Sequence, residues 1–367
     1  MKINEIELRT IHLPLVRPFR TSFGTQTSRE VLIVKVTNEN GTVGWAECVA
    51  MSEPLYSPEY VAGCIDLIKR FLIPALRVKS EINAEDVAPI LKPFLAGQMA
   101  KAALETVILD AQLKDEKISL ASYLGATKSK VECGVSVGIA NNLEALGEEV
   151  KSYVDAGYRR IKLKIEPGWD IEAVKYIRNL YSDIPLQVDA NQAYSRSDGK
   201  HLARLDEFNL LLIEQPLDEH DILGHALLAK EVKTPICLDE SIISLQSTTD
   251  ALALKATTII NIKPGRVGGY LESVKIHDLC LKNKIPVWCG GMLETGIGRA
   301  ANLALAALPG FTLPGDTSAS ARYFKQDITT PFVMEDGYLS VPNKPGIGVE
   351  PDMDFLESIT KSKEIIA

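Results

Sequence analysis

Lys164, Asp189, Glu214, Asp239 and Lys263 recur along the chain at spacings of 25, 25, 25 and 24 residues. Each closes a short apolar run: "KLK" at 162–164, then "QVDAN", "LIEQP", "CLDES" and "NIKPG". A carboxylate at a strand end commonly caps the following helix, and that reading suits any one of the three taken alone. Three at one interval, flanked on each side by a lysine, are hard to explain as caps. Carboxylates that converge without a cation repel one another and raise their own pKa values. A hard divalent ion relieves this, and Mg²⁺ takes oxygen ligands at about 2.0–2.1 Å with water and substrate completing its shell. Mn²⁺ can substitute. Bound there, the metal would act as a Lewis acid toward a substrate carboxylate.

The lysines then acquire a task. In "RRIKLKIEPGWD" (159–170) Lys162 and Lys164 flank only Leu163, so in a strand both ammonium groups point to one side. Facing an interior, two like charges are costly without anionic partners. A lysine beside another ammonium and a metal has its pKa lowered toward that of a usable base. Lys162 is therefore expected to tune Lys164 and to bind a carboxylate oxygen, with Lys263 approaching the substrate from its opposite face. The chemistry implied is proton abstraction α to a carboxylate through an enediolate.

From about residue 131, short apolar runs alternate with amphipathic segments: "CGVSVGI", "RRIKLKI", "PLQVDA", "LLLIEQP", "PICLDES", "TIINIKP", "PVWCGG" and "FTLPGD". Eight runs interleaved with helical stretches (142–156, 169–182, 221–231, 244–255, 270–283 and 294–307) predict a (β/α)8, TIM-like barrel, with a doubly wound open sheet as the alternative. One βα unit has about the length of the charge interval, which sets the five charges at one end of the barrel. The first third reads as strands ("VLIVKV" at 31–36, the turn "NENG" at 38–41) followed by helices at 58–74 and 99–114, an α+β unit. The expected domains are 1–128, rejoined by 330–367, and 129–329.

With 367 residues, 46% hydrophobic and 24% charged, the composition is that of a globular protein. A net charge of −8 argues against nucleic acid and against an anionic membrane surface as partners. No run approaches a spanning helix and no basic, apolar leader opens the sequence, so a cytoplasmic protein is expected. The six cysteines form no CxxC pair and read as reduced thiols; the five histidines form no HExxH, and His220 and His225 read as solvated. "GIGRAA" (296–301) lacks a full GxGxxG and is discounted as a nucleotide loop.

"KLK", "DAN" (189–191), "IEQP" (213–216), "CLDES" (237–241) and "NIKPGRVGG" (261–269) resemble the muconate-lactonizing subgroup of the enolase superfamily. "CGGMLETGIGRAANLALA" (289–306) and "PGDTSASARYF" (314–324) resemble its branch of o-succinylbenzoate synthases and N-succinylamino acid (N-acylamino acid) racemases, and the resemblance spans essentially the whole chain. It implies a capping α+β domain built from the N-terminal third and the C-terminal tail. It also implies Asp189, Glu214 and Asp239 as Mg²⁺ ligands, Lys164 and Lys263 as the catalytic pair and Lys162 as their tuning neighbour. Enolase-superfamily sites use a lysine or histidine base with Mg²⁺ in this way. Asn191 and Glu240 would support the ligands or contact the substrate carboxylate. The segments 18–25 and 52–59 match loops that close over substrate, with Phe19, Phe23 and Tyr56 as contacts; Ser136, Gly291, Met292 and Phe324 are further pocket candidates. The seventh strand end offers no histidine, unlike mandelate racemases, and "GDTSA" lacks the Asp-x-Asp that dipeptide epimerases use.

The implied partner is a small anionic carboxylate, and a homo-oligomer is expected. The leading activity is dehydration of 2-succinyl-6-hydroxy-2,4-cyclohexadiene-1-carboxylate to o-succinylbenzoate, a step of menaquinone biosynthesis. N-succinylamino acid or N-acylamino acid racemisation is the alternative, and one chain can carry both. A Schiff-base aldolase using Lys263 as nucleophile is a remoter reading, which would need no metal.

Overall fold

The computed structural model describes residues 1–366. Its first layer is an antiparallel sheet of β1 (Ile3–Thr21), β2 (Gly24–Asn38) and β3 (Val43–Cys48), completed on the far side of β1 by the chain's last strand, Thr360–Ile366. Ile6 pairs with Ile366 and Thr10 with Ser362, so the C-terminal tail returns to the N-terminal sheet. The segment expected as a loop at 18–25 is instead the end of the β1–β2 hairpin, pairing Phe19 with Gln26 and Thr21 with Gly24. Pairing satisfies backbone groups that a loop would leave to water.

Helix α1 (Gln98–Glu116) lacks glycine and proline and is rich in strong helix formers. It lies on β3 and β2 and also touches the barrel, and most of its residues from Met99 to Leu113 are buried. A helix enclosed on most sides needs no amphipathic stripe.

The second layer is a curled parallel sheet in chain order: β4 (Gly134–Val137), β5 (Arg160–Lys164), β6 (Leu186–Asp189), β7 (Ile213–Glu214), β8 (Ile236–Leu238), β9 (Ile259–Ile262) and β10 (Val287–Cys289). The eighth apolar run makes no ladder of its own. Single bridges tie Phe311 to Val287 and Gly315 to Cys133, and the Gly134 amide donates to the Gly315 carbonyl at 2.7 Å. Pro314 has no N–H to give a ladder. These bridges join both edges of the sheet, which is the TIM-like barrel and not the open sheet.

After β6 the chain forms short helical turns over 196–208, where Gly199, Leu202 and Leu205 are buried at every third position. One local expectation needs correction. His225 is fully buried, not solvated: its Nε2 accepts from the Leu217 amide at 3.2 Å and its Nδ1 meets the Asp221 carbonyl at 2.8 Å. His220 does lie in solvent. All six cysteines are buried and free, and among the described residues no helix is long and apolar enough to cross a membrane.

Candidate active site

Alternation along β5 turns Arg160, Lys162 and Lys164 to the barrel interior while Ile161 and Leu163 join the apolar core. Register sets Lys164 beside Asp189 and Asp189 beside Glu214, so one charge from each successive strand arrives at the same rim. The Lys164 ammonium donates to Asp189 Oδ2 at 2.6 Å and to Asn191 Oδ1 at 2.7 Å. Asn191 in turn donates to Glu240 Oε1 at 2.9 Å. Lys162 Nζ lies 2.8 Å from Asp316 Oδ2, 3.0 Å from Glu214 Oε2 and 3.3 Å from Asp189 Oδ2.

Across the rim, Lys263 Nζ donates to Asp239 Oδ2 at 2.6 Å and to the Tyr56 hydroxyl at 2.7 Å. Arg266 also reaches that hydroxyl. The turn that presents Asp239 is held by Gln215, whose Oε1 accepts from the Asp239 amide at 3.0 Å and the Ser241 amide at 3.2 Å. Gln215 has φ +36° and Asn191 φ +42°, left-handed values that side-chain-bearing residues adopt only where the surroundings enforce them. Both directly follow, or nearly follow, a carboxylate-bearing strand end.

Burial works to lower Lys162, but Asp316, Glu214 and Asp189 outweigh it and hold this ammonium above its ordinary range. Lys263 is likewise lowered by burial and raised further by Asp239, Glu240 and Glu214. Lys162 and Lys263 are each matched by carboxylates. Asp189 is held well below the usual carboxylate range, since Lys164 and Lys162 outweigh its burial. Glu214 is pushed up, by burial first and then by Asp189 and Asp239.

Do these residues fit a divalent ion? Among the described residues no three His, Cys, Asp or Glu side chains are gathered as a ready metal site, because ammonium groups lie between the carboxylates. The donor set nevertheless suits a hard cation. Asp189, Glu214 and Asp239 are fully buried oxygen donors, Asp239 Oδ1 has no hydrogen-bond partner, and the raised Glu214 marks a place short of positive charge. The set fits Mg²⁺ once Lys164 and Lys263 turn from their carboxylates toward a substrate.

Above the rim, one cavity is lined by Lys162, Lys164, Lys263 and Asn191 together with Phe19, Phe23, Tyr56, Ser136, Gly291 and Met292. Phe23 and Tyr56 pack with tilted rings 5.7 Å apart, closing it from the N-terminal layer. Two candidates lie elsewhere. Glu240 is buried behind Asn191, and Phe324 packs into the core while its neighbour Tyr323 lines the cavity. Sequence reasoning does not find Thr21, Gln26, Met51, Leu293, Asp316 or Tyr323 in this lining. Of these, only Asp316 carried a signal, as a carboxylate closing the eighth apolar run.

The arrangement has known relatives. Residues 145–355 match the model described as enolase C-terminal domain-like, and residues 5–125 match the N-terminal domain of mandelate racemase / muconate lactonizing enzyme. An N-succinylamino acid racemase from an Amycolatopsis species is 55% identical over 364 residues, covering 99% of each chain. An o-succinylbenzoate synthase from Geobacillus kaustophilus is 45% identical over 362 residues, covering 98% of this chain and 96% of that one. A solved enolase-superfamily structure from Listeria innocua superposes with a TM-score of 0.95 at 43% identity, over 100% of this chain and 99% of the other.

Proposed function

The chain belongs to the mandelate racemase / muconate lactonizing enzyme family of the enolase superfamily, a family of enzymes, and on that premise we propose that it removes the proton α to the carboxylate of a succinyl-bearing substrate. The observation that carries this reading is the pair of lysines, Lys164 and Lys263, lining one cavity while each is bonded to a different carboxylate. Asp189, Glu214 and Asp239 would hold Mg²⁺, with Mn²⁺ as a substitute. When bound, the ion supplies Lewis-acid stabilisation to the substrate carboxylate as negative charge builds on it.

The protein's own groups do the rest. Displaced from Asp189, Lys164 Nζ takes the α-proton as a neutral amine, leaving the enediolate. Lys263 Nζ, on the other side of the cavity, donates to that charge as an ammonium. Phe19, Phe23 and Tyr56 exclude water from above.

Two outcomes follow from one intermediate. If Lys263 delivers its proton to the opposite face of the α-carbon, an N-succinylamino acid is racemised. If Lys164 passes the captured proton to a β-hydroxyl, water leaves and o-succinylbenzoate forms. The second lysine supports the first outcome, and relatives carrying each name resemble this chain over nearly all of its length. Steady-state assays with both substrates test this. Turnover of either one supports the proposed step. Turnover of neither, with borohydride trapping of a carbonyl substrate on Lys263, would replace it with Schiff-base chemistry.

A further inference from the structure

Beside Lys164 on the inward face of β5, the barrel interior holds two further cations. Arg160 and Lys162 stand two residues apart on the inward face of β5, and both are almost wholly buried. Like charges so placed are tolerated only with a shared counter-ion. Asp316, from the eighth run, divides its two oxygens between them. Oδ1 accepts from Arg160 Nη2 at 2.9 Å, and Oδ2 accepts from Lys162 Nζ at 2.8 Å.

Arg160 is itself locked. It donates to the Pro314 carbonyl at 2.9 Å and the Val135 carbonyl at 3.3 Å, and it lies 5.1 Å from the centre of the Trp288 ring. A Cβ at Gly134 would come within 2.4 Å of its guanidinium carbon. Glycine at 134 is therefore what leaves room for this side chain. The guanidinium fixes Asp316, and Asp316 holds the Lys162 ammonium at 2.8 Å, shorter than its contacts with Glu214 and Asp189. Without Asp316, Lys162 would keep only Glu214 and Asp189, two of the carboxylates assigned to the metal.

We propose that Asp316, anchored by Arg160, is a positioning residue that holds Lys162 at the rim of the site; this rests on the proton-abstraction reading above. It touches the reaction only through Lys162, although one edge of it also borders the cavity.

The test compares wild type, Asp316→Asn and the double variant Asp316→Asn/Arg160→Met, with Mg²⁺, by following α-hydrogen exchange of an N-succinyl amino acid in D₂O. Asp316→Asn is expected to lower kcat for exchange on the order of 100-fold, the scale of a misplaced reacting group, with KM changed less than about 3-fold. The double variant no longer has a guanidinium to neutralise. It should unfold cooperatively like wild type yet keep the same loss of kcat, and it serves as the test if the single variant fails to fold. A wild-type rate in the double variant would mean that Asp316 only neutralises Arg160. An effect confined to KM would make Asp316 a substrate contact. Either result overturns the proposal, as does an unchanged rate in Asp316→Asn. If wild type itself exchanges nothing, the proton-abstraction reading is what fails. Positioning is then read directly by ¹⁵N NMR of the lysine side chains, where a solvent-protected Lys162 ammonium should lose its protection in Asp316→Asn and unchanged protection would refute it.

Discussion

Lys164 and Lys263 are bonded to Asp189 and Asp239, partners 25 and 24 residues away in sequence, which is one βα unit in each case. That interval is why the five charges are legible without a structure. Arg160 shares the period-two face of Lys162 and Lys164, but nothing in the sequence singles it out as part of the site. Asp316 lies outside the repeat, and the Tyr56–Lys263 contact joins residues 207 apart, so neither could be paired from spacing. The direction of the Lys162 shift is not readable either, because it depends on carboxylates from β6, β7 and the eighth run. If the two lysines face opposite sides of the α-carbon, Lys164→Ala and Lys263→Ala should each slow racemisation by about 10²–10⁴-fold. Each should still exchange the α-proton of one enantiomer, a different one in the two variants. Equal loss of exchange from both enantiomers in both variants would contradict a two-sided site.

Helix α1 was legible as a helix from composition, but not its enclosure between two layers, which puts Glu105 into a dry contact. Glu105 accepts from the Leu271 amide at 3.1 Å and presses on Gly269, where a Cβ would lie 2.1 Å from its Oε1. Gly269 has φ +144°, so a side chain there is excluded by both space and backbone. Burial, above all, pushes the Glu105 carboxyl up to about 7 from an ordinary 4.5. A carboxyl raised in the folded state binds its proton more tightly there than in the unfolded chain. Its contribution to stability is therefore full below about pH 4.5 and lost as pH rises toward about 7, a difference of about 3 kcal/mol. Urea denaturation at pH 5 and pH 8 should show wild type losing stability relative to Glu105→Gln across that window. Parallel pH profiles for the two proteins would refute this. The eighth run was the element least legible as drawn: "FTLPGD" has the apolar run, but with its proline and glycine the ladder is reduced to single bridges.

For the whole molecule, the interval of the repeat made the barrel legible, while the way the N-terminal layer grips it was not. Glu47 on β3 reaches across to the start of helix α2 (Gly296–Ala306), where its Oε2 accepts from the Thr295 amide at 2.9 Å and hydroxyl at 2.7 Å. Nothing in the spacing of "WAECV" and "LETGIG" announces that contact across 248 residues. Gly291, Met292 and Leu293, just before it, form part of the cavity wall. Glu47→Ala leaves those buried donors unsatisfied, and a loss of about 1–3 kcal/mol in unfolding free energy is expected, with KM rising more than kcat falls. Unchanged stability and unchanged KM would show that the two layers are joined elsewhere. The central claim, metal-assisted removal of an α-proton by this rim of lysines and carboxylates, is tested most directly by ¹H NMR of an N-succinyl amino acid in D₂O. With Mg²⁺ the α-hydrogen signal should disappear at a rate that EDTA abolishes and Mg²⁺ or Mn²⁺ restores. Exchange that survives EDTA, or that persists for both enantiomers in the Lys164→Ala/Lys263→Ala double variant, would contradict it.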